Sequence, residues 1–596
     1  MKRLIMAMVA TAALAGCRMT DGDTAARVRD ARDVCEVSAN VTRFPARKKV
    51  IGFGWDTCSR TAGELADRAD QLAALGLDGV GFQIKHRPKE GKVASYNSVV
   101  YQAKPFEPLD EFWENTNDIK RLCATKLTDN FVLCSLFFEK RTPFEDEEFW
   151  RLACEKIAMF AKIAKIGGAK GILIDTEDYG GSGQFYWHPK DCRHDPKETG
   201  RYARMRGRQL MEAVAKEYPD CKVLSTWLLS NQSRKSYQDA YNGQRARAEA
   251  EADLFVPFME GFLEGLGPDM TLTDGDEAGY YWEAARREFF YDYFAMKQLC
   301  PKVLDPALSA KYALQVKAGF GLYLDSYTLP EKNGWAKGPL DGSRLRHFEL
   351  NLRQALEVTD EYVWLWGERY AFADWKGCAD KRHVSPTWEE ALPGFSATVN
   401  FLKNPKCYGE SLYRARLAEG AKLENLIRPS AVATNAAGVL AECPKPWRVS
   451  QRERKDGYTG KFTQLTTGGQ SGGLAVKAEY VFAGSLTLPG MEPEKGAIYR
   501  ASVWFKTSEG IRPSFKVTHV TQGHPIWNDG GGWMAQGAKH ADGNGVSVSA
   551  GDPGKDGWRE AVIYFRGERF DASVSLSANL GRRMFEGEYA IVSDPA

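Results

Sequence analysis

The chain has 596 residues, 43% of them hydrophobic and 27% charged, an ordinary globular composition with material for more than one domain. Eighty Lys and Arg against 78 Asp and Glu leave a net charge of +2, so there is no electrostatic footprint for nucleic acid as a partner. Aromatic residues make up 12%, with 16 Trp and 24 Tyr, flat amphipathic faces that suit a core or a sugar ring equally well.

At the N-terminus, Lys2 and Arg3 precede an apolar run from Leu4 to Ala15 that closes on Leu14-Ala15-Gly16-Cys17. The run is too short to span a bilayer. It resembles the lipobox of bacterial lipoproteins, which implies a signal peptide over 1–17, lipidation of Cys17 and attachment to the membrane of the cell envelope. A plain secretory signal is the alternative. Residues 18–47 read as a polar tether. The other eleven cysteines lack CxxC spacing and histidine partners, so no metal site is expected. An oxidising compartment leaves room for one or two disulfides, whereas Cys134 and Cys154 read as small buried hydrophobes.

From Val50 onward short apolar runs alternate with amphipathic stretches, the pattern of βα units on a parallel sheet. Eight runs are expected as strands: Val50–Gly54, Gly79–Ile84, Phe131–Phe138, Gly171–Asp175, Val223–Trp227, Met270–Asp274, Ala318–Leu324 and Tyr362–Trp366. For the sixth, Leu254–Leu266 is the competing candidate, but its length suits a helix better. Eight units over 48–405 predict a (β/α)₈ barrel, with an open doubly wound sheet as the alternative. No GxGxxG follows the first strand and no GxxxxGK[ST] occurs, so dinucleotide and P-loop chemistry are disfavoured and no cofactor is expected. After a linker at 406–427, residues 428–596 are rich in Gly, Ser, Thr and β-branched residues. Alternation in Tyr499–Phe505 and Ala561–Phe565 predicts an antiparallel β-sandwich. Those segments and Trp558-Arg-Glu-Ala-Val resemble jelly-roll carbohydrate-binding modules, which makes Trp527 and Trp533 either a sugar platform or a plug in the sandwich.

A parallel barrel delivers the last residues of all its strands to one rim. Asp56, Glu139, Asp175, Glu177, Asp178, Asp274, Glu277, Asp325 and Glu368 arrive there, interleaved with Trp55, Tyr179, Trp187, Trp227, Tyr280, Tyr327 and Trp366. An acidic, aromatic bowl suits glycoside hydrolysis, in which one carboxylic acid protonates the leaving oxygen and a second carboxylate attacks the sugar or activates water. Over 48–400 the chain resembles TIM-barrel glycoside hydrolases. Gly171-Ile-Leu-Ile-Asp175-Thr-Glu177-Asp178-Tyr179 is similar to the fourth-strand motif of chitinases and related hexosaminidases, although that motif has aspartates where this chain has Lys170 and Leu173 and an aromatic residue where it has Thr176.

The resemblance implies an oligosaccharide or polysaccharide substrate and makes Glu177 the general acid, crowded by Asp175 and Asp178. Glu277 or Glu368 is its expected partner, with Asp175 orienting Glu177 or polarising a substrate amide in a substrate-assisted variant. Trp55, Asp56, Tyr179, Trp187, Trp227, Asp274, Tyr280, Asp325, Tyr327 and Trp366 are expected to bind substrate. Three other readings stay open: an acidic helix cap at 175–178, caps at Asp274 and Asp276, and a glycan-binding lipoprotein without chemistry.

Overall fold

The computed structural model describes residues 31–32, 34–42, 47–86, 94–96, 109–136, 138, 140–177, 181–230, 253–340, 342–378, 386–427, 431–451, 460–494, 497–518, 546–566, 574–580 and 584–595. The chain divides into two compact units after Val399.

The first unit is a parallel barrel. Its strands are β1 (Lys49–Gly54), β2 (Gly79–Phe82), β3 (Phe131–Ser135), β4 (Gly171–Asp175), β5 (Lys222–Ser225), β6 (Thr271–Asp274), β7 (Val316–Ala318 and Phe320–Tyr323) and β8 (Tyr362–Gly367). Each pairs in parallel with the next, and β8 pairs with β1 from Lys49↔Tyr362 to Gly54↔Gly367, so the ring returns on itself. The seventh strand is broken at Gly319: its first half pairs with β6 and its second half with β8. The Gly319 N–H donates to Asp274 O (2.8 Å) and the Gly321 N–H to Asp276 O (3.2 Å), carrying the ladder across the break.

The second strand stops at Phe82, short of the expected Ile84, because Ile84–His86 leaves the barrel to form a hairpin with Ala94–Tyr96. The third ends at Ser135 rather than Phe138. The competing sixth segment folds as the helix Phe255–Gly265, whose apolar side chains are nearly all buried. Helix limits follow local chemistry. Asp146 caps Glu147–Gly167 through the Phe149 N–H and Gly168 closes it in the left-handed conformation; Asp195 caps Pro196–Glu217 through the Glu198 N–H.

Ile51, Phe53, Phe131, Leu133, Leu173, Leu224, Tyr362 and Trp364 fill the barrel as one cluster. Beneath them the floor is ionic: Lys49 Nζ reaches Asp129 (2.6 Å), the Tyr362 hydroxyl donates to the same carboxylate (2.8 Å), and Lys222 pairs with Glu361 (2.5 Å). The eleven described cysteines are all free thiols, with Cys134 buried and Cys154 half-buried.

The second unit is an antiparallel sandwich of two five-stranded sheets. One runs, in spatial order, Arg448–Ser450, Ser485–Met491, Val574–Asn579, Ser514–Thr518, Val546–Ser549; the other Lys461–Leu465, Ala475–Glu479, Tyr589–Ser593, Ile498–Thr507, Trp558–Arg566. Val476, Leu486, Val503, Phe505, Phe515, Ile563, Leu576 and Val592 meet between them. The stretch expected as a linker opens in a helix, Pro405–Ala418, that packs on this sandwich: Gly409 lies against the Tyr564 ring, and the Tyr564 hydroxyl donates to Glu410 (2.5 Å). Trp527 and Trp533 lie outside the described residues.

Candidate active site

β4 can carry an acidic end only because its start is tightly held. A Cβ on Gly171 would lie 1.9 Å from Lys222 O, so glycine alone lets β4 and β5 pair this closely. Ile172, Leu173 and Ile174 are buried, and Asp175 follows at the rim. Asp175 Oδ1 accepts the Glu177 N–H (3.1 Å), a local turn that redirects the chain, while Thr176 Oγ1 donates to Trp227 O (2.9 Å) and ties this end to the loop after β5. Asp178 and Tyr179 lie outside the described residues, as do Glu139 and Cys17.

β6 ends in a second turn. Asp274, 1% exposed, accepts the N–H groups of Leu228 (3.0 Å) and Ser230 (2.7 Å) and the Ser230 hydroxyl (2.6 Å). Burial pushes its carboxyl up to about 6; the Ser230 bonds oppose the rise and the nearby Asp276 charge adds to it. A Cβ on Gly275 would sit 2.1 Å from Ser225 O, and the Gly275 carbonyl accepts Trp364 Nε1–H (2.8 Å). Asp276 takes a left-handed conformation (φ 32°, ψ 74°) that a non-glycine residue adopts at a cost, held by Trp282 Nε1–H on its carboxylate (2.9 Å). The Glu277 N–H then donates to Thr226 O (3.0 Å) and the turn Glu277–Tyr280 begins.

These two turns bring Glu177 and Glu277 to one cleft of about 240 Å³, walled by Trp227, Ser230, Asp276, Ala278, Tyr280, Tyr281 and Trp335. Tyr280 rests on Trp364 and Tyr323 at ring separations of 5.4 and 5.5 Å.

Glu368 belongs to a second group, on β7, β8 and β1. Its oxygens accept the Tyr323 hydroxyl (3.1 Å) and Trp366 Nε1–H (3.0 Å). Asp325, fully buried, accepts the N–H groups of Glu368 (2.8 Å) and Arg369 (3.1 Å); burial pushes its carboxyl up to about 6. Trp55, 46% exposed, packs its edge on Trp366 (5.4 Å).

Five residues expected to touch substrate do other work, Asp325 and its two backbone bonds among them. Asp56 is buried and accepts the Phe372 N–H (2.7 Å) and Trp375 Nε1–H (2.9 Å), fixing the loop after β8. Asp274 braces the loop after β5. Tyr327 is fully buried against Phe348, its hydroxyl taken by Asn351 (2.9 Å). Trp187 donates to His194 O (2.9 Å) within its own loop and is not part of the cleft wall. Conversely, Trp335 escaped notice. The clue in sequence was a large aromatic in the polar loop Pro330-Glu-Lys-Asn-Gly-Trp335, which has no periodic apolar partners to join in a core.

No family model and no curated protein matches the sequence. Among solved structures, a GH5_18 from Streptomyces cattleya in complex with GlcNAc is 12% identical over 64% of this chain and 83% of its own, with a TM-score of 0.34. A GH18 chitinase from Pseudoalteromonas aurantia is 13% identical over 54% of this chain and 94% of its own, at 0.26. TmCBM61, in complex with β-1,4-galactotriose, is 21% identical over 25% of this chain and 86% of its own, at 0.17. Likenesses at these TM-scores carry no argument, and the reading of this chain rests on its own fold and on the geometry of its rim.

Proposed function

We propose that this chain is a glycoside hydrolase whose general acid is Glu177 and whose second carboxylate is Glu277. The observation that carries the reading is that two glutamates from the ends of β4 and β6 share one aromatic-walled cleft at the C-terminal rim of a parallel barrel. Glu177 protonates the leaving glycosidic oxygen; Glu277 attacks the anomeric carbon or takes a proton from water that does. Asp175, through the Glu177 N–H, sets the direction in which Glu177 points. Glu368, bonded through both oxygens to Tyr323 and Trp366, is better suited to holding sugar hydroxyls than to proton transfer.

The test is hydrolysis of glycans by the purified soluble region. Glu177→Gln and Glu277→Gln should each lower kcat by about 10²–10⁴-fold, the usual worth of a general acid or base, with the melting temperature preserved. Activity surviving in both variants would sink the assignment.

The Lys2–Cys17 segment supports export and lipid anchoring, and in the same reading the second unit is a sugar-binding module. Cys17→Ser should move the protein from the membrane fraction to the soluble one.

A further inference from the structure

The cleft is smaller than the roughly 300–1,000 Å³ that encloses a drug-sized ligand. A glycan longer than the cleft would continue along one of its walls. One wall is built for that. Tyr281 and Trp335, which border the cleft, are 52% and 47% exposed, and their rings lie 5.1 Å apart at 31°, so the pair leaves open aromatic surface. Large rings left in water beside a cleft are an exception to ordinary burial and mark a binding surface.

The pair is held from behind. Trp335 lies two residues from Lys337, and Tyr281 two residues from Glu283. Lys337, 8% exposed, bonds Glu283 Oε1 (2.7 Å) and Trp282 O (3.0 Å), and its own N–H donates to Ser326 O (2.8 Å). His347 closes the clamp: Nε2 meets Glu283 Oε2 (2.5 Å) and Nδ1 meets Gly338 O (2.7 Å). The Asn333 side chain accepts the Trp335 N–H (2.9 Å), and the Tyr323 ring meets Trp335 edge-on at 5.7 Å. A loop without regular structure is thus fixed, where it carries its tryptophan, by the Lys337–Glu283 ion pair and by His347 bonded to the same carboxylate.

We propose that Tyr281 and Trp335 form a separate stacking subsite for a neutral pyranose ring, beyond the ring held between Glu177 and Glu277. Apolar C–H faces of a sugar lie flat on aromatic surface, and the carboxylates of Asp276 and Glu277 in the adjoining cleft disfavour an anionic uronate. The subsite rests on the glycosidase reading only in that the stacked ring belongs to the glycan being cut.

The experiment uses the full soluble chain carrying Glu277→Gln for binding and the unaltered catalytic residues for hydrolysis. The probes are β-1,4-linked oligomers of glucose, galactose and N-acetylglucosamine, from two to six units, titrated calorimetrically. Trp335→Ala and Tyr281→Ala should each weaken the longer oligomers about tenfold and leave the dimer unchanged; Trp335→Phe should restore most of the loss. Equal affinity at every length, or equal loss at every length, overturns the subsite. Hydrolysis with affinities indifferent to Trp335 leaves the glycosidase reading standing and removes the subsite. Length-dependent loss without hydrolysis does the reverse. Neither binding nor hydrolysis of any oligomer overturns both. Lys337→Met, which leaves both rings in place but releases the clamp, should also weaken only the longer oligomers.

Discussion

Replacing Asp274 with alanine should destabilise the barrel by an amount that depends on pH in a direction fixed by its environment. Three donors lose their acceptor: the N–H groups of Leu228 and Ser230 and the Ser230 hydroxyl. At about 1–3 kcal/mol for each buried group left unsatisfied, and with less than full additivity, the penalty is about 3–6 kcal/mol. Against it stands the relief of a buried charge. The Asp274 carboxyl is pushed from its ordinary 3.8 up to about 6. Because the folded value lies above the unfolded one, its contribution to stability is complete below about pH 3.8 and is lost as the pH rises through about 6. At about 1.4 kcal/mol per pH unit, roughly 2–3 kcal/mol disappears between pH 4 and pH 7.5. Alanine has no such loss, so its penalty should be about 2–3 kcal/mol larger at pH 4 than at pH 7.5. Urea unfolding followed by tryptophan fluorescence and near-ultraviolet circular dichroism at the two pH values measures it. A penalty equal at both, or larger at pH 7.5, would refute the reasoning.

Asp129→Ala removes the centre of the ionic floor. Burial alone would raise this carboxyl, but Lys49, with help from Thr128 and Tyr362, holds it below its ordinary 3.8. Its contribution is therefore present above that value and lost as the pH falls through the lower folded one. The variant should lose about 3–5 kcal/mol at pH 7, and that deficit should shrink in acid unfolding curves below pH 3.8. Gly275→Ala drives a methyl group to 2.1 Å from Ser225 O and 2.8 Å from Trp364 Nε1. It should cost about 1–3 kcal/mol in thermal unfolding and reduce hydrolysis further than the lost stability explains, because Glu277 follows two residues on.

Much of the barrel was legible because each strand is a short apolar run bounded by polar turns, and the length of Leu254–Leu266 favoured the helix found at Phe255–Gly265. The broken β7 was not legible, since Gly319 inside an apolar run looks like any strand glycine until its two neighbours are known. At the rim, sequence located the acidic ends without giving the direction of each side chain. Alternation assigns a face only while the backbone stays extended; at Asp56 and Tyr327 the chain is already turning, Asp274 is the last residue of its strand, and the polar atoms of all three are consumed by buried N–H, hydroxyl or amide donors. Glu177 and Glu277 reach the cleft because their own turns, an aspartate bonded to the backbone and a left-handed Asp276, send them there.

The break in β7 divides loyalties within a single strand: the residues before Gly319 answer to β6, those after it to β8. The bridging N–H groups of Gly319 and Gly321 rest on the carbonyls of Asp274 and Asp276, the same turn that delivers Glu277. A ligand seated against Glu277 should therefore slow exchange of those two amides with solvent, and equal exchange with and without it would show that the break and the cleft are independent.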